Sequence, residues 1–246
     1  MSSSFQKETF EKVDVKNRKE RSDIVIENII QGFVKKSSVH QFKMLDVGCG
    51  GGQLLENFCR KDNIEVHGID ISQEALRVSK NKGYCSVECD LEADNMPYPD
   101  SFFDVVVMND LIEHIINPDR MLREARRVIK PEGSIIVCTP NVSHPVSWAM
   151  QIVLDLPPMQ SARYKSVHVR DFTLRILNKT LELNGLSVSK AQGTFIYPIE
   201  NRISYYIATR IPRLSERLIV ISKKGENPKN EVKDIYFDVQ ELLKAG

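Results

Sequence analysis

The sequence predicts an α/β domain built on a largely parallel sheet. Three observations carry that expectation. Short segments rich in β-branched residues alternate with helix-like segments, the mark of βαβ units. Two apolar runs, at 103–109 and 134–139, are nearly continuous, as in strands buried on both faces. The chain has 246 residues, 41% of them apolar, enough for one substantial core.

Taken in order, residues 1–20 are polar, and Ile24, Ile29, Ile30 and Phe33 recur at near-helical spacing, so a leading helix should end between Gly32 and Ser37. Strands are expected at 43–47, 65–70, 85–89, 103–109 and 134–139. Between them, helices are expected at 53–61, from an N-cap at Ser72 to Lys82 with Gly83 as its stop, and at 118–129. The last has Asn117 at the N-cap and Pro118 at the first helical position, where a missing N–H costs nothing. "KPEG" at 130–133 then ends that helix and turns the chain into the fifth strand. A proline-bounded stretch follows, "PNVSHPVSWAMQIVLDLPPMQSARYKSVHVRDF", with one short amphipathic helix inside; connections that long are more often functional lids than idle loops. A helix resumes at Thr173, with Leu174, Leu177 and Leu181 on one face and Gly185 as its stop. Two final strands, 186–192 and 217–222, flank a second insertion, and a weak helix is expected near 238–244. The organisation expected is an N-terminal helical extension (1–40), a main domain (41–225) with insertions near 141–170 and 194–216, and a polar tail (226–246).

The formal net charge of +1 gives no global field that would draw nucleic acid or an anionic membrane. No stretch approaches the ~20 apolar residues of a spanning helix, and the N-terminus lacks a signal-peptide core, so a soluble cytoplasmic protein is expected. Five scattered cysteines without C-x-x-C spacing suggest neither a disulfide framework nor a zinc site.

The chemistry is concentrated in "MLDVGCGGGQLLENF", residues 44–58. The dinucleotide fingerprint is G-x-G-x-x-G, but here Gly48, Gly50 and Gly52 make G-x-G-x-G, and Gln53 stands where the third glycine would fall. Asp46 precedes the glycines; it would repel a diphosphate but suits an ammonium group. The expected helix at Gln53 offers amides to a carboxylate, so the ligand on this side reads as an amino acid. Asp70 lies about 20 residues beyond the glycines, the usual distance for an acid that accepts ribose hydroxyls. Asp90, beside the Leu91 amide, can accept from an adenine amino group. Any one of these acids can be an ordinary helix cap; together with the glycines they form a cofactor seat. An adenosine joined to an amino acid is S-adenosylmethionine.

On these motifs the chain resembles a class I S-adenosylmethionine-dependent methyltransferase. The family's "LDVGCGxG", "GxDxS", "D", "PyPDxsFDvV" and "EHi" stand at 45–52, 68–72, 90, 97–106 and 113–115, and the resemblance covers roughly residues 40–190. It implies a seven-stranded Rossmann-like sheet in the order 3-2-1-4-5-7-6, strand 7 antiparallel, with helices on both faces. By the same resemblance Gly48, Cys49 and Gly50 border the methionine part with Gln53, Asp46 reaches its ammonium, and Asn109 offers its backbone carbonyl nearby. Asp70 would take the ribose hydroxyls, Ile71 would flank the adenine, and Asp90 with Leu91 would hold its amino group. "NDLI" after strand four, in place of an "NPPY" motif, argues against the branch that methylates DNA bases or glutamine.

Methyl transfer to a hydroxyl or amine needs alignment and removal of a proton. His114 is the first candidate base, followed by His168 and His144, because imidazole titrates near working pH. Asp110, Glu113 and His114 together can be read as a divalent-ion site, although no metal is expected. The insertions supply Trp148, Met150, Ile152, Leu154 and Met159, then Tyr197, Tyr205, Tyr206 and Arg210, as a wall for a small-molecule, lipid or saccharide-type acceptor; the alternatives are internal packing, a homodimer interface or contact with a membrane surface. O-methylation is the favoured activity. The competing readings are a nicotinamide-dependent oxidoreductase and a non-catalytic cofactor-binding subunit.

Overall fold

A computed structural model describes residues 21–39, 41–156, 168–199 and 201–226. The expected helix near 238–244 lies outside them. The elements run α1 (Arg21–Lys36), β1 (Phe42–Val47), β2 (Ile64–Asp70), α2 (Gln73–Asn81), β3 (Cys85–Glu88) and β4 (Phe103–Asn109). A 3-10 turn (Ile112–His114) leads to α3 (Pro118–Val128) and β5 (Ile129–Pro140). The described residues end with α4 (Pro145–Val153), α5 (Leu174–Leu183), β6 (Leu186–Gly193), α6 (Arg202–Arg210), a 3-10 turn (Pro212–Leu214) and β7 (Arg217–Lys224). The seven strands form one sheet in the order β3-β2-β1-β4-β5-β7-β6, and β7 is antiparallel to both its neighbours.

Period-two alternation along the central strands divides the core. Leu45, Val47, Val106, Met108, Ile135 and Val137 face α3 and α5 in one apolar cluster. Met44, Val105, Val107 and Ile136 face α1 in a second cluster, against Val25, Ile26 and Ile30. Asp46 and Asn109 follow the same alternation, so they too turn toward α1.

The caps form as the sequence predicts: Ser72 Oγ accepts the Ala75 amide, Asn117 the Asp119 amide and Thr173 the Ile176 amide. The "PYPDSFFD" motif is packing: the rings of Tyr98 and Phe103 meet edge to face at 4.8 Å, with Phe103 fully buried. Arg127 fastens the preceding loop to α3 by donating to the Met96 and Tyr98 carbonyls and to Glu124 and Asp100.

Three expectations are corrected. Residues 53–61 form successive tight turns, with Phe58 N–H donating to Leu55 O (2.9 Å) and Lys61 N–H to Phe58 O (3.1 Å), rather than an α-helix. Over so short a segment the apolar positions Leu54, Leu55 and Phe58 suit either conformation, and the Leu55 amide is committed to Tyr84 Oη at 2.7 Å. β5 begins at Ile129 rather than 134: Phe103 pairs with Ile129 and Val105 with Ser134, so the expected turn at 130–133 bulges out of a continuous strand. Ile24 is half exposed, and α1 buries Val25, Ile26 and Ile30 instead.

Leu122 is fully buried between α3 and the sheet. Leu122→Ala is expected to destabilise the fold by about 2–5 kcal/mol, read as a lower urea midpoint with an unchanged m-value.

Candidate functional site

The carboxyl ends of β1, β2 and β4 converge on a cavity of about 230 Å³. Gly48, Gly50, Asp70 and Ile71 line one side; Cys89, Asp90, Leu91 and Glu92 line the loop after β3; and Asp110, Leu111, His114 and Ile115 line the turn after β4. Of the residues singled out from the sequence, seven therefore border the cavity with His114: Gly48, Gly50, Asp70, Ile71, Asp90, Leu91 and Asp110. Asp46 and Cys49 are buried, and neither they nor Gln53 and Asn109 are among its lining residues.

The glycine turn is anchored to β2, since the amides of Gly48 and Cys49 both donate to the Ile69 carbonyl at 2.8 and 3.0 Å. Gly50 has φ +49°, and a Cβ built there would meet no atom within 4 Å, so the backbone is bare where a ligand would lie against it. A Cβ on Gly68 would lie 2.7 Å from Cys49 Sγ, which explains the glycine of the "GID" motif by packing. Burial pushes the Cys49 thiol up, and it stays a neutral packing group.

Asp70 Oδ2 accepts the Gly50 amide (2.8 Å) and Oδ1 the Ser72 amide (2.9 Å). Burial pushes its carboxyl up, while these amides pull it down. Each oxygen keeps a further lone pair, so a pair of ribose hydroxyls can still be accepted. Asp90 Oδ1 accepts the Glu92 amide, shaping the turn on the opposite side.

Beneath the glycine turn, Asp46 is pushed up to about 8 by burial, lowered in part by Tyr84 Oη donating to it at 3.2 Å and raised by the charge of Asp23. Asp23, on the buried face of α1, accepts from Asn109 Nδ2 at 3.0 Å, and Asn109 Oδ1 is buried without a partner. Sequence reasoning missed Asp23. Its signal was an acid three residues before Ile26 and seven before Ile30, on the helix's own apolar stripe.

On the other wall, segment 168–170 clamps onto the turn after β4. The Val169 and Arg170 amides donate to the Glu113 carbonyl (2.9 and 3.2 Å), and Arg170 Nε donates to the Ile116 carbonyl (3.0 Å). The clamp brings the rings of His114 and His168 to 4.8 Å, edge to face. Donor atoms of Glu113, His114 and His168 lie within 4.8 Å of one another, a spacing that one metal ion can bridge. Burial and the nearby Asp110 charge push the Glu113 carboxyl up; its Oε2 accepts from Thr139 Oγ1 and its Oε1 is buried without a partner. Asp110, at φ +51°, pairs with Arg217, so the expected Asp110–Glu113–His114 grouping is replaced by one containing His168. His144 is fully buried away from the cavity lining, and burial lowers its pKa.

Sheet order and strand-end cavity are those of the class I S-adenosylmethionine-dependent methyltransferase fold. Residues 45–137 match the family model described as a methyltransferase domain. The chain is 26% identical over 200 residues to a protein of Idiomarina loihiensis named ubiquinone biosynthesis O-methyltransferase, covering 74% of this chain and 80% of that one. It is 32% identical over 121 residues to a protein of the same name from Pelagibacter ubique, covering 47% of this chain and half of that relative's length. A solved S-adenosylmethionine-dependent methyltransferase from Archaeoglobus fulgidus shares the fold with a TM-score of 0.58 at 19% identity, covering 91% of this chain and 100% of that one.

The folded chain holds a proton on Asp46 between about pH 4 and 8 that the unfolded chain has released, so this group's contribution to stability falls as pH rises through that window. An ammonium group bound beside it reverses the preference. Calorimetry of S-adenosylmethionine binding at pH 7, in buffers of different ionisation enthalpy, is therefore expected to show release of up to about one proton. Asp46→Asn is expected to abolish most of that release and to weaken binding about thirtyfold.

Proposed function

We propose that this protein transfers a methyl group from S-adenosylmethionine to an oxygen of a small or medium-sized acceptor. The observation that carries the reading is the cavity itself, with a bare glycine turn and an amide-held Asp70 on one wall and His114 on the other. When bound, the cofactor supplies an electrophilic methyl group on a sulfonium, displaced in line by the acceptor. Gly48 and Gly50 border the methionine part, Asp70 takes the ribose hydroxyls, Asp90 and Leu91 the base, and Asp46 the ammonium from below. His114 takes the acceptor's proton, and His168, held beside it by the 168–170 clamp, sets its orientation.

Relatives named as O-methyltransferases support oxygen as the accepting atom. A lipid or saccharide-type acceptor and a cytoplasmic setting suit this activity. No described helix is long and apolar enough to cross a membrane. The Glu113–His114–His168 group supports a second reading, in which a divalent ion activates the acceptor hydroxyl in place of a free base.

Labelled S-adenosylmethionine with a fractionated metabolite extract, followed by mass spectrometry of whatever gains a methyl group, tests the activity; no labelled product from any fraction counts against it. With the acceptor found, His114→Ala is expected to lower kcat by about 10²–10⁴ with cofactor affinity retained. The wild-type rate is expected to rise with pH as the His114 imidazole loses its proton and then to level off. Unchanged turnover in EDTA supports the free base, and loss of turnover restored by Mg²⁺ supports the ion.

A further inference from the structure

None of the described residues of the two insertions lines the strand-end cavity. Its lining residues include none from α4 or α6, whose large apolar side chains face solvent instead. On α4 and just beyond it, Trp148 is 61% exposed, Ile152 64% and Val153 74%, and residues 141–154 contain no Asp, Glu, Lys or Arg. α6 buries Ser204 and Ala208 and turns Arg202, Ile203, Tyr205, Tyr206 and Arg210 outward, with Ile203 70% exposed. The Arg210 guanidinium lies 3.8 Å over the Tyr206 ring. Arg213 follows, and residues 201–215 contain no acid.

The bases of both insertions meet at one end of the sheet. Asn141, the first residue after β5, donates from Nδ2 to the Arg213 and Ser215 carbonyls at 3.0 and 2.7 Å. The His144 and Tyr197 rings lie 6.4 Å apart. The cavity lies on the same edge of the sheet, beyond the carboxyl ends of the parallel strands.

From this we infer that α4 and α6 dock the protein peripherally on an anionic lipid surface. The chemistry suits a bilayer interface. Trp and Tyr place an apolar body beside a polar tip, Ile and Val enter the acyl boundary, and arginines meet lipid phosphates. A helix of nine residues spans about 13 Å, so α4 can lie in the interface but cannot cross it. The overall charge of +1 gives no attraction at a distance; the attraction is local, from Arg202, Arg210 and Arg213 within a stretch whose nearest acids, Glu200 and Glu216, stand at its two ends. The same charges disfavour a second copy of this chain as occupant, since a two-fold contact through α6 would set arginines against arginines. The inference does not depend on the proposed acceptor chemistry.

Trp148 is the single tryptophan of the chain, so its emission reports directly on α4. With vesicles of phosphatidylcholine containing about 30% phosphatidylglycerol, the full-length protein is expected to co-float and its emission to shift to the blue. Binding should weaken as salt rises and should be much weaker on pure phosphatidylcholine. Each basic residue at an anionic surface strengthens binding about fivefold, so Arg202→Gln with Arg210→Gln should weaken partitioning about thirtyfold. Ile152→Ser with Val153→Ser should weaken it as well, and calorimetric affinity for S-adenosylmethionine, measured alongside, shows that each variant is folded. Failure of the wild type to float with anionic vesicles overturns the inference, whatever the variants do. So does a blue emission already present without lipid, or sedimentation showing a dimer in which Trp148 is shielded.

Discussion

The site depends on one constraint, the in-register parallel pairing of β1 between β2 and β4. Asp46 pairs with Gly68 on one side and Val107 on the other, so the three strands end at nearly the same level. Their next residues must then turn in one place. The turn after β1 returns its amides to Ile69, the acid ending β2 takes the amide of Gly50, and the turn after β4 adds Asp110, Leu111 and His114. Parallel strands place every such end on one edge of the sheet, which is why a single cavity collects residues far apart in the chain.

Around this edge the fold accepts unfavourable electrostatics. Asp46 and Glu113 are both buried, each near another acid, and burial pushes both upward. Tyr84, Thr139 and the Arg217–Asp110 pair only partly offset that cost. Acids held in this condition are common where a polar ligand completes the site. Asp46 lies under the glycine turn, and Glu113 lies beside His114 and His168.

Much of the fold was legible because its rules are local. Ser72, Asn117 and Thr173 cap helices through their own side chains, and the nearly continuous apolar runs of β4 and β5 mark strands buried on both faces. The segment at 53–61 was misread because one turn's worth of apolar spacing suits a helix and a series of tight turns equally. Asp23 was missed because an acid on an apolar helical stripe looks like an irregularity until Asn109 is seen to donate to it. Apolar composition likewise gave no means of telling a cavity wall from an exposed surface at Trp148 or Ile203.

By itself the sequence determined the α/β class, the glycine turn and the acids at strand ends on which the resemblance to methyltransferases rests. These follow from side-chain periodicity and from motifs whose residues lie close in the chain. Only the tertiary structure decided that His168 joins His114 and Glu113, that Asp110 leaves that group for Arg217, and that α4 and α6 face outward. The physical reason is that each of these depends on contacts between segments tens of residues apart, set by backbone bonds such as those from Val169 and Arg170 to Glu113. No local pattern encodes them.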